Sequence, residues 1–405
     1  MMRRVMAGGF LAASVLASAV PVALAAPADP ISSAAAGAPV PRADALVLGT
    51  LLPDTGALAD YGPATQAAVA LAVADANDAG GVDGSRVTLL RGDSGDSLST
   101  LVATLTRLRA QGASAVIGPL SSSLLLDSLT SLEGLTVISP ATTSPLLSGL
   151  VARIAPSDAL QGAALVKLAA QSRVSRLVIV APRSSAAIAQ YARTQAVSLG
   201  MPATVVGYAD NARASDIADD AARVHADGLL LVTGAETTSV VRELVRRGLP
   251  GTVLLTAAAG ASVDPAALPR GTLRGARVTA PDLRVPRALA DRVRSLAPKA
   301  RQLAYAAQAY DAAAVAILAA EQSSRFLGEV TPPGIRAAIP SVTTGGTPCD
   351  SLATCLRQAR AGTDIGYVGL SGPVDLGEGG DPTVAAYAVR IIGPSNAPGT
   401  RVRYV

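Results

Sequence analysis

The chain has 405 residues, long enough for two domains with ample cores. Its formal charge of +4 falls to +2 once Arg3 and Arg4 leave with an export signal, which argues against nucleic-acid or membrane-surface binding. With no Trp, two Phe and eight Tyr, the composition also speaks against a site walled by stacked aromatic rings.

Met1–Ala25 combines Arg3 and Arg4 with an apolar run from Val5 to Leu24 and the small-residue cleavage site Ala23-Leu24-Ala25. It reads as a secretory signal peptide over 1–25. Residues 26–43, rich in Ala, Pro and Ser, read as a flexible leader. No Cys stands near the cleavage site to carry a lipid anchor, and no later run is long and apolar enough to span a bilayer. The mature protein is expected to be soluble and periplasmic or secreted.

From Ala45 onward, strand-like and helix-like segments alternate. Ala45–Leu52 is β-leaning, Tyr61–Asn77 has helical spacing up to Gly80-Gly81, Arg86–Arg91 reads as a strand and Leu98–Gln111 as a helix. Two short apolar runs come next, Ala115–Ile117 and Leu135–Ile138, suited to buried parallel strands, with a short helix Leu124–Leu132 between them. Each runs into a loop of small, hydroxyl-bearing residues: Gly118 to Ser123, then Ser139 to Ser144. In an open α/β sheet, ligands collect beyond the carboxyl ends of the strands, so two such loops make a donor-rich cradle suited to a carboxylate. Helix capping alone would account for the same hydroxyls.

A second series begins after Arg153, with helices Ala159–Gln171, Ser185–Leu199, Ala214–His225 and Thr237–Arg247 alternating with strands Arg176–Ala181, Ala203–Tyr208, Gly228–Val232 and Thr252–Thr256. Such alternation predicts parallel sheets with helices on both faces, divided near Arg153 into two similar lobes. Past Gly260 the pattern changes. Ala280–Val285 is irregular and Pro-containing, Gln302–Ser323 is a long Ala-rich helix, and Gly366–Tyr387 reads as short strands and turns. Cys349 and Cys355 share one Gly/Pro-rich segment, and in an oxidising compartment they are expected to close a small disulfide loop. Metal binding by these thiols, with the lone His225 far away, is the poorer alternative.

Several stretches together resemble the periplasmic solute-binding proteins of ABC importers, of the branched-chain amino acid (Leu/Ile/Val) type. They are Leu48–Gly56 with Asp60-Tyr61-Gly62, Asp75–Gly84, Ile117-Gly118-Pro119, Ile138–Pro145, Ala304-Tyr305-Ala306 through Tyr310-Asp311-Ala312, and Tyr367–Val374 with Gly379-Gly380-Asp381. The resemblance implies a type I periplasmic binding protein: α/β, two doubly wound parallel-sheet lobes joined by three hinge crossovers. Lobe I would comprise 44–153 and 281–369, and lobe II 154–280 and 370–405. It also implies a monomer with no enzymatic activity and no cofactor. Such a protein captures a small amino-acid-like or carboxylate solute and delivers it to the membrane permease of an ABC importer.

Carried over position by position, Ser122 would offer its hydroxyl and amide to a ligand carboxylate, with Ser121 or Ser123 beside it. Ala141 would offer its carbonyl to an ammonium, Thr143, next to Thr142, its hydroxyl and amide, and Tyr61 would sit over the ligand. The second lobe departs from the pattern. Pro182-Arg183-Ser184-Ser185 replaces a Tyr-Gly pair, Thr233-Gly234-Ala235-Glu236-Thr237 lacks an aromatic, and Ala257-Ala258-Ala259-Gly260 lacks the acid that normally meets the ligand ammonium. Glu236 is the candidate replacement, set against the plainer role of an acid at a helix N-terminus. Arg183 is the candidate partner for an extra ligand carboxylate. An aliphatic acid or amide fits these losses better than an amino acid. A ligand-degenerate homologue with a sensory or interaction role stays open.

A serine hydrolase is the remaining alternative. Gly92-Asp93-Ser94-Gly95 resembles the nucleophile sequence of trypsin-like proteases, but such a Ser needs a base, and His225 is the single His. It lies after the Ser, the reverse of the trypsin-like order, and reads as a surface residue at a helix end.

Overall fold

The computed structural model describes residues 45–248 and 250–404; the expected signal peptide (1–25) and leader (26–43) lie outside them. Five short strands, β1 (Val47–Thr50), β2 (Thr88–Leu90), β3 (Ala115–Ile117), β4 (Thr136–Ser139) and β5 (Ala152–Arg153), form a wholly parallel sheet in the order β2-β1-β3-β4-β5. Its central strands β3 and β4 are buried along their whole length, as short apolar runs covered by helices on both faces must be.

The chain then builds β6 (Leu177–Pro182), β7 (Ala203–Tyr208), β8 (Gly228–Leu231), β9 (Thr252–Leu255) and β10 (Arg277–Pro281). A small sheet comes next, from β11 (Thr347–Cys349), β12 (Ile365–Gly369) and β13 (Gly372–Pro373), before β14 (Tyr387–Ile392) and β15 (Pro398–Tyr404). The second large sheet has the order β15-β14-β10-β9-β8-β6-β7; β14 and β15 join antiparallel at its edge. Without them, its parallel part is wound in the same order as the first sheet. This is the two-lobed, doubly wound α/β architecture expected from the sequence.

The buried apolar side chains divide accordingly. Residues between Leu46 and Ile154, and again between Leu289 and Leu376, fill the first lobe, while residues between Leu165 and Val278, with Val389 and Ile392, fill the second. The chain therefore passes between lobes three times, the third time between the core residues Leu376 and Val389. Arg153, fully buried at the end of β5, secures that third passage. Its Nε donates to Asp381 Oδ1 at 2.6 Å, Nη1 to the Ser144 carbonyl at 2.6 Å and Nη2 to Ser148 Oγ at 3.0 Å.

The axis of the first lobe is the helix Ala306–Leu327, buried on every side from Ala306 to Ser324. Its alanines combine high helix propensity with a thin profile, so the Ala-rich helix Gly62–Asp78 and the helix Pro332–Thr343 pack closely on it. It begins four residues later than Gln302 because Tyr305 stands at φ +66°, a left-handed conformation that halts helical continuation at that end.

Other differences have equally local causes. The predicted helix Leu124–Leu132 is the helix Ser122–Asp127 followed by a 3₁₀ turn, Leu129–Ser131. The helix read as Ala214–His225 stops at Ala222, and His225 turns at φ +51°. Ala280–Val285 is not irregular throughout, since Arg277–Pro281 is β10, paired on both sides, and the loop begins only at Asp282. The Cys349–Cys355 disulfide is present, joining β11 to the helix Leu352–Arg360 with a Cα separation of 5.3 Å.

Candidate functional site

The strands of the first sheet, and β6 to β10 in the second, run parallel within each sheet, and the loops leaving the carboxyl ends of β6 to β10 converge on one cleft of about 610 Å³. Pro182, Ser184 and Ser185 come from the end of β6, Tyr208 and Asp210 from β7, Thr233, Gly234 and Glu236 from β8, Thr256, Ala257 and Ala258 from β9, and Pro281 from β10. Asp158 and Gln161, on the first turn of the helix Asp158–Gln171, border it from the first interlobe passage. Across the gap the first lobe contributes Thr143 and Tyr305. A crevice outside the carboxyl ends of doubly wound strands is where ligands of this architecture bind, and its size suits a small molecule.

The polar groups of the cleft are held in place. The Asp158 amide donates to the Thr143 carbonyl at 2.9 Å, and Thr143 Oγ1 donates to Asp158 Oδ2 at 3.1 Å. Burial pushes the Asp158 carboxyl up to about 6, and the Thr143 hydroxyl and the Arg153 charge pull only partly against it. Opposite, the Tyr208 hydroxyl and the Gly234 amide, the latter at 3.0 Å, both donate to Glu236 Oε1. Burial raises the Glu236 carboxyl, but these two donors outweigh it and hold the group below the usual carboxylate range. Burial and the neighbouring Glu236 carboxylate together push the Tyr208 phenol well up, so it stays a donor at physiological pH.

The sequence-predicted residues distribute unevenly. Thr143 and Glu236 border the cleft; Tyr61, Ser121, Ser122, Ser123, Ala141 and Thr142 do not line it. Ser121 Oγ accepts from the Leu124 amide at 3.3 Å as a helix N-cap and shares a 3.0 Å hydrogen bond with Ser123. Ser122 Oγ accepts from the Thr143 and Ser144 amides at 3.1 and 3.4 Å, binding one hydroxyl-rich loop to the other. Ser139 Oγ takes the Ala141 and Thr142 amides at 3.3 and 3.1 Å. Thr142 is fully buried, its Oγ1 without a hydrogen-bond partner among the described residues. Tyr61 packs edge-to-face on Tyr305, ring centres 5.7 Å apart, and so reaches the cleft only through that neighbour. Arg183 is exposed; its neighbours Pro182 and Ser184 line the cleft and it does not.

The first of these loops owes its turn to Gly118. At φ +122° an added Cβ would meet the Leu51 carbonyl oxygen at 2.1 Å, so only glycine lets the chain leave β3 here. Asp158, Tyr208, Asp210 and Tyr305 are cleft residues that the sequence motifs do not single out as ligand contacts. Tyr305 lies inside a stretch that carries the family resemblance. Tyr208 and Asp210 stand at the carboxyl end of a predicted strand, where the strand-end rule used for the first lobe would have found them.

The protease-like sequence has a structural use instead. Asp93 Oδ1 accepts from the Asp54, Thr55 and Gly95 amides at 2.8, 3.2 and 2.8 Å, and Thr55 Oγ1 donates to Oδ2 at 2.6 Å, pinning the loop after β1 to that after β2. Ser94 is 2% exposed, and His225 is exposed in the other lobe.

The sequence profile of the periplasmic binding protein family matches residues 46–390. A chemotactic signal transduction system substrate-binding protein, BasB of Halobacterium salinarum, is 27% identical over 370 residues, covering 85% of this chain and 86% of that one. The leucine-binding protein LivK of Thermotoga maritima superposes with a TM-score of 0.57 at 18% identity, covering 89% of this chain and 97% of the other. An ABC transporter substrate-binding protein of Desulfitobacterium hafniense, solved with Leu, gives 0.60 at 21% identity, with 89% and 100% covered. At these identities the structural likenesses speak to the fold.

Proposed function

Because this chain belongs to the periplasmic binding protein family, we propose that it captures a small solute in the interlobe cleft and presents the closed complex to a membrane partner, the permease of an ABC importer. The observation that supports this most is convergence: loops from five strands of one sheet, with Thr143 and Tyr305 of the other lobe, surround a single cleft of about 610 Å³. A site shared by two lobes responds to its ligand by closing, since the ligand stabilises the state in which both lobes touch it. The groups around the cleft suit binding rather than reaction, and no catalytic role is assigned to them. The chain is taken to be exported, with cleavage after Ala25.

A chemosensory role is the second reading, favoured by the name of the Halobacterium salinarum relative, which aligns over most of both chains. The partner would then be a membrane receptor. Calorimetry of the mature protein against amino acids, amines, aliphatic acids and amides tests the shared premise. A saturable ligand accompanied by a smaller radius of gyration in solution scattering is expected. Absence of any binding across the panel would overturn it. Capture of the closed complex by permease or by receptor then separates the two roles.

A further inference from the structure

We infer that the cleft is built for a small organic cation bearing an ammonium or guanidinium head, a deepening that rests on the binding-protein reading above. Every charged side chain on its wall is acidic: Asp158, Asp210 and Glu236 line it, with no Lys, Arg or His among the lining residues. A ligand carboxylate entering such a wall gives up hydration and meets like charge, whereas a cation exchanges its hydration for opposite charge. Glu236 and Asp158 are already oriented, one by Tyr208 and Gly234 and the other by Thr143, so little ordering remains when a cation arrives.

Of the groups that would offer hydrogen bonds to a leucine-like carboxylate, the Thr143 amide and hydroxyl are both engaged inside the protein. Ser122 Oγ holds the Thr143 and Ser144 amides, Ser139 Oγ holds those of Ala141 and Thr142, and the Thr143 hydroxyl donates to Asp158. The carboxylate of Asp158 thus occupies the hydroxyl that would greet a ligand carboxylate. Tyr208 and Tyr305 bring the two aromatic rings of the wall, and aromatic rings attract ammonium and guanidinium groups. Among the described residues no group of three or more His, Cys, Asp or Glu side chains could hold a metal ion, which points to an organic cation.

Calorimetry of the mature protein with putrescine, arginine, leucine, isovalerate and isovaleramide, at low and high salt, tests this. Putrescine or arginine is expected to bind at least about tenfold more tightly than leucine or isovalerate, with affinity falling as salt rises. Glu236→Gln and Asp158→Asn should each weaken that binding about tenfold or more, with Asp158→Asn melting at or above the parent chain and Glu236→Gln still folding cooperatively. Leucine, isovalerate or isovaleramide binding as tightly as the cations would overturn the inference while leaving the binding-protein reading intact. So would both folded variants keeping full affinity. Failure of all five probes would overturn both.

Discussion

Asp158 titrates near 6 in the folded protein, against an ordinary value of 3.8, because the protein wall strips water from its charged form. The folded state therefore holds this proton more tightly than the unfolded chain does, and stability falls as pH rises from about 4 to about 6. The deficit persists at neutral pH and is on the order of 3 kcal/mol. Asp158→Asn, which keeps an acceptor for Thr143, is expected to raise stability at pH 7 by about that amount and to flatten the profile between pH 4 and 6; urea midpoints across pH would read it. A profile unchanged by the substitution would assign the titration elsewhere. If the ligand is a cation, pairing draws the Asp158 carboxyl back down. Binding at pH 6 should then release a proton, visible as a binding enthalpy that depends on the ionisation enthalpy of the buffer. The hydroxyl loops were legible in sequence because small polar residues after apolar strands mark strand ends. Where each hydroxyl points was not, because Ser122 finds its donors, the Thr143 and Ser144 amides, in a separate loop beyond the next strand.

At the scale of elements, periodicity identified nearly all of the alternating helices and strands up to Gly260, where each helix has one face on a sheet. It did not identify the helices Arg287–Leu296 and Pro332–Thr343 or the strands Tyr387–Ile392 and Pro398–Tyr404. The first helix is charged at four of its ten positions, the second starts with two prolines and contains Pro340, and the β14–β15 hairpin finds its place only through the pairing of β14 with the distant β10. Tertiary contact decides such segments more than their own propensity does. The disulfide closes a short loop within this region. Replacing Cys349 and Cys355 together by Ser should cost about 2 kcal/mol, the chain-entropy value for so small a loop, measured as a lowered denaturation midpoint. Ligand affinity should not change, because neither cysteine borders the cleft.

Across the whole molecule, buried polar anchors also hold the late segments of the chain onto the first lobe. Asp311, fully buried on the helix Ala306–Leu327, accepts from Tyr367 Oη at 2.7 Å, the Leu370 and Ser371 amides at 2.9 and 2.7 Å, and Ser371 Oγ at 2.6 Å. Burial still pushes its carboxyl upward despite those donors. Asp311→Ala should destabilise the fold by about 3 kcal/mol, by orphaning several donors at once, and loss of less than about 1 kcal/mol in urea unfolding would contradict that role. The cleft itself is lopsided: apart from Thr143 and Tyr305 its lining belongs to the second lobe and the passage leading into it. That asymmetry divides the kinetics of capture. On the proposed binding role, a solute would meet nearly its whole set of contacts on one lobe, and the encounter rate would be a property of that lobe and of its acidic lining. The other lobe would then arrive afterwards as a latch, its two contacts governing how long the solute stays. Substituting Tyr305 or Thr143 should lengthen or shorten residence with little change in the rate of arrival, leaving selectivity free to drift in one half of the molecule while the other half keeps time.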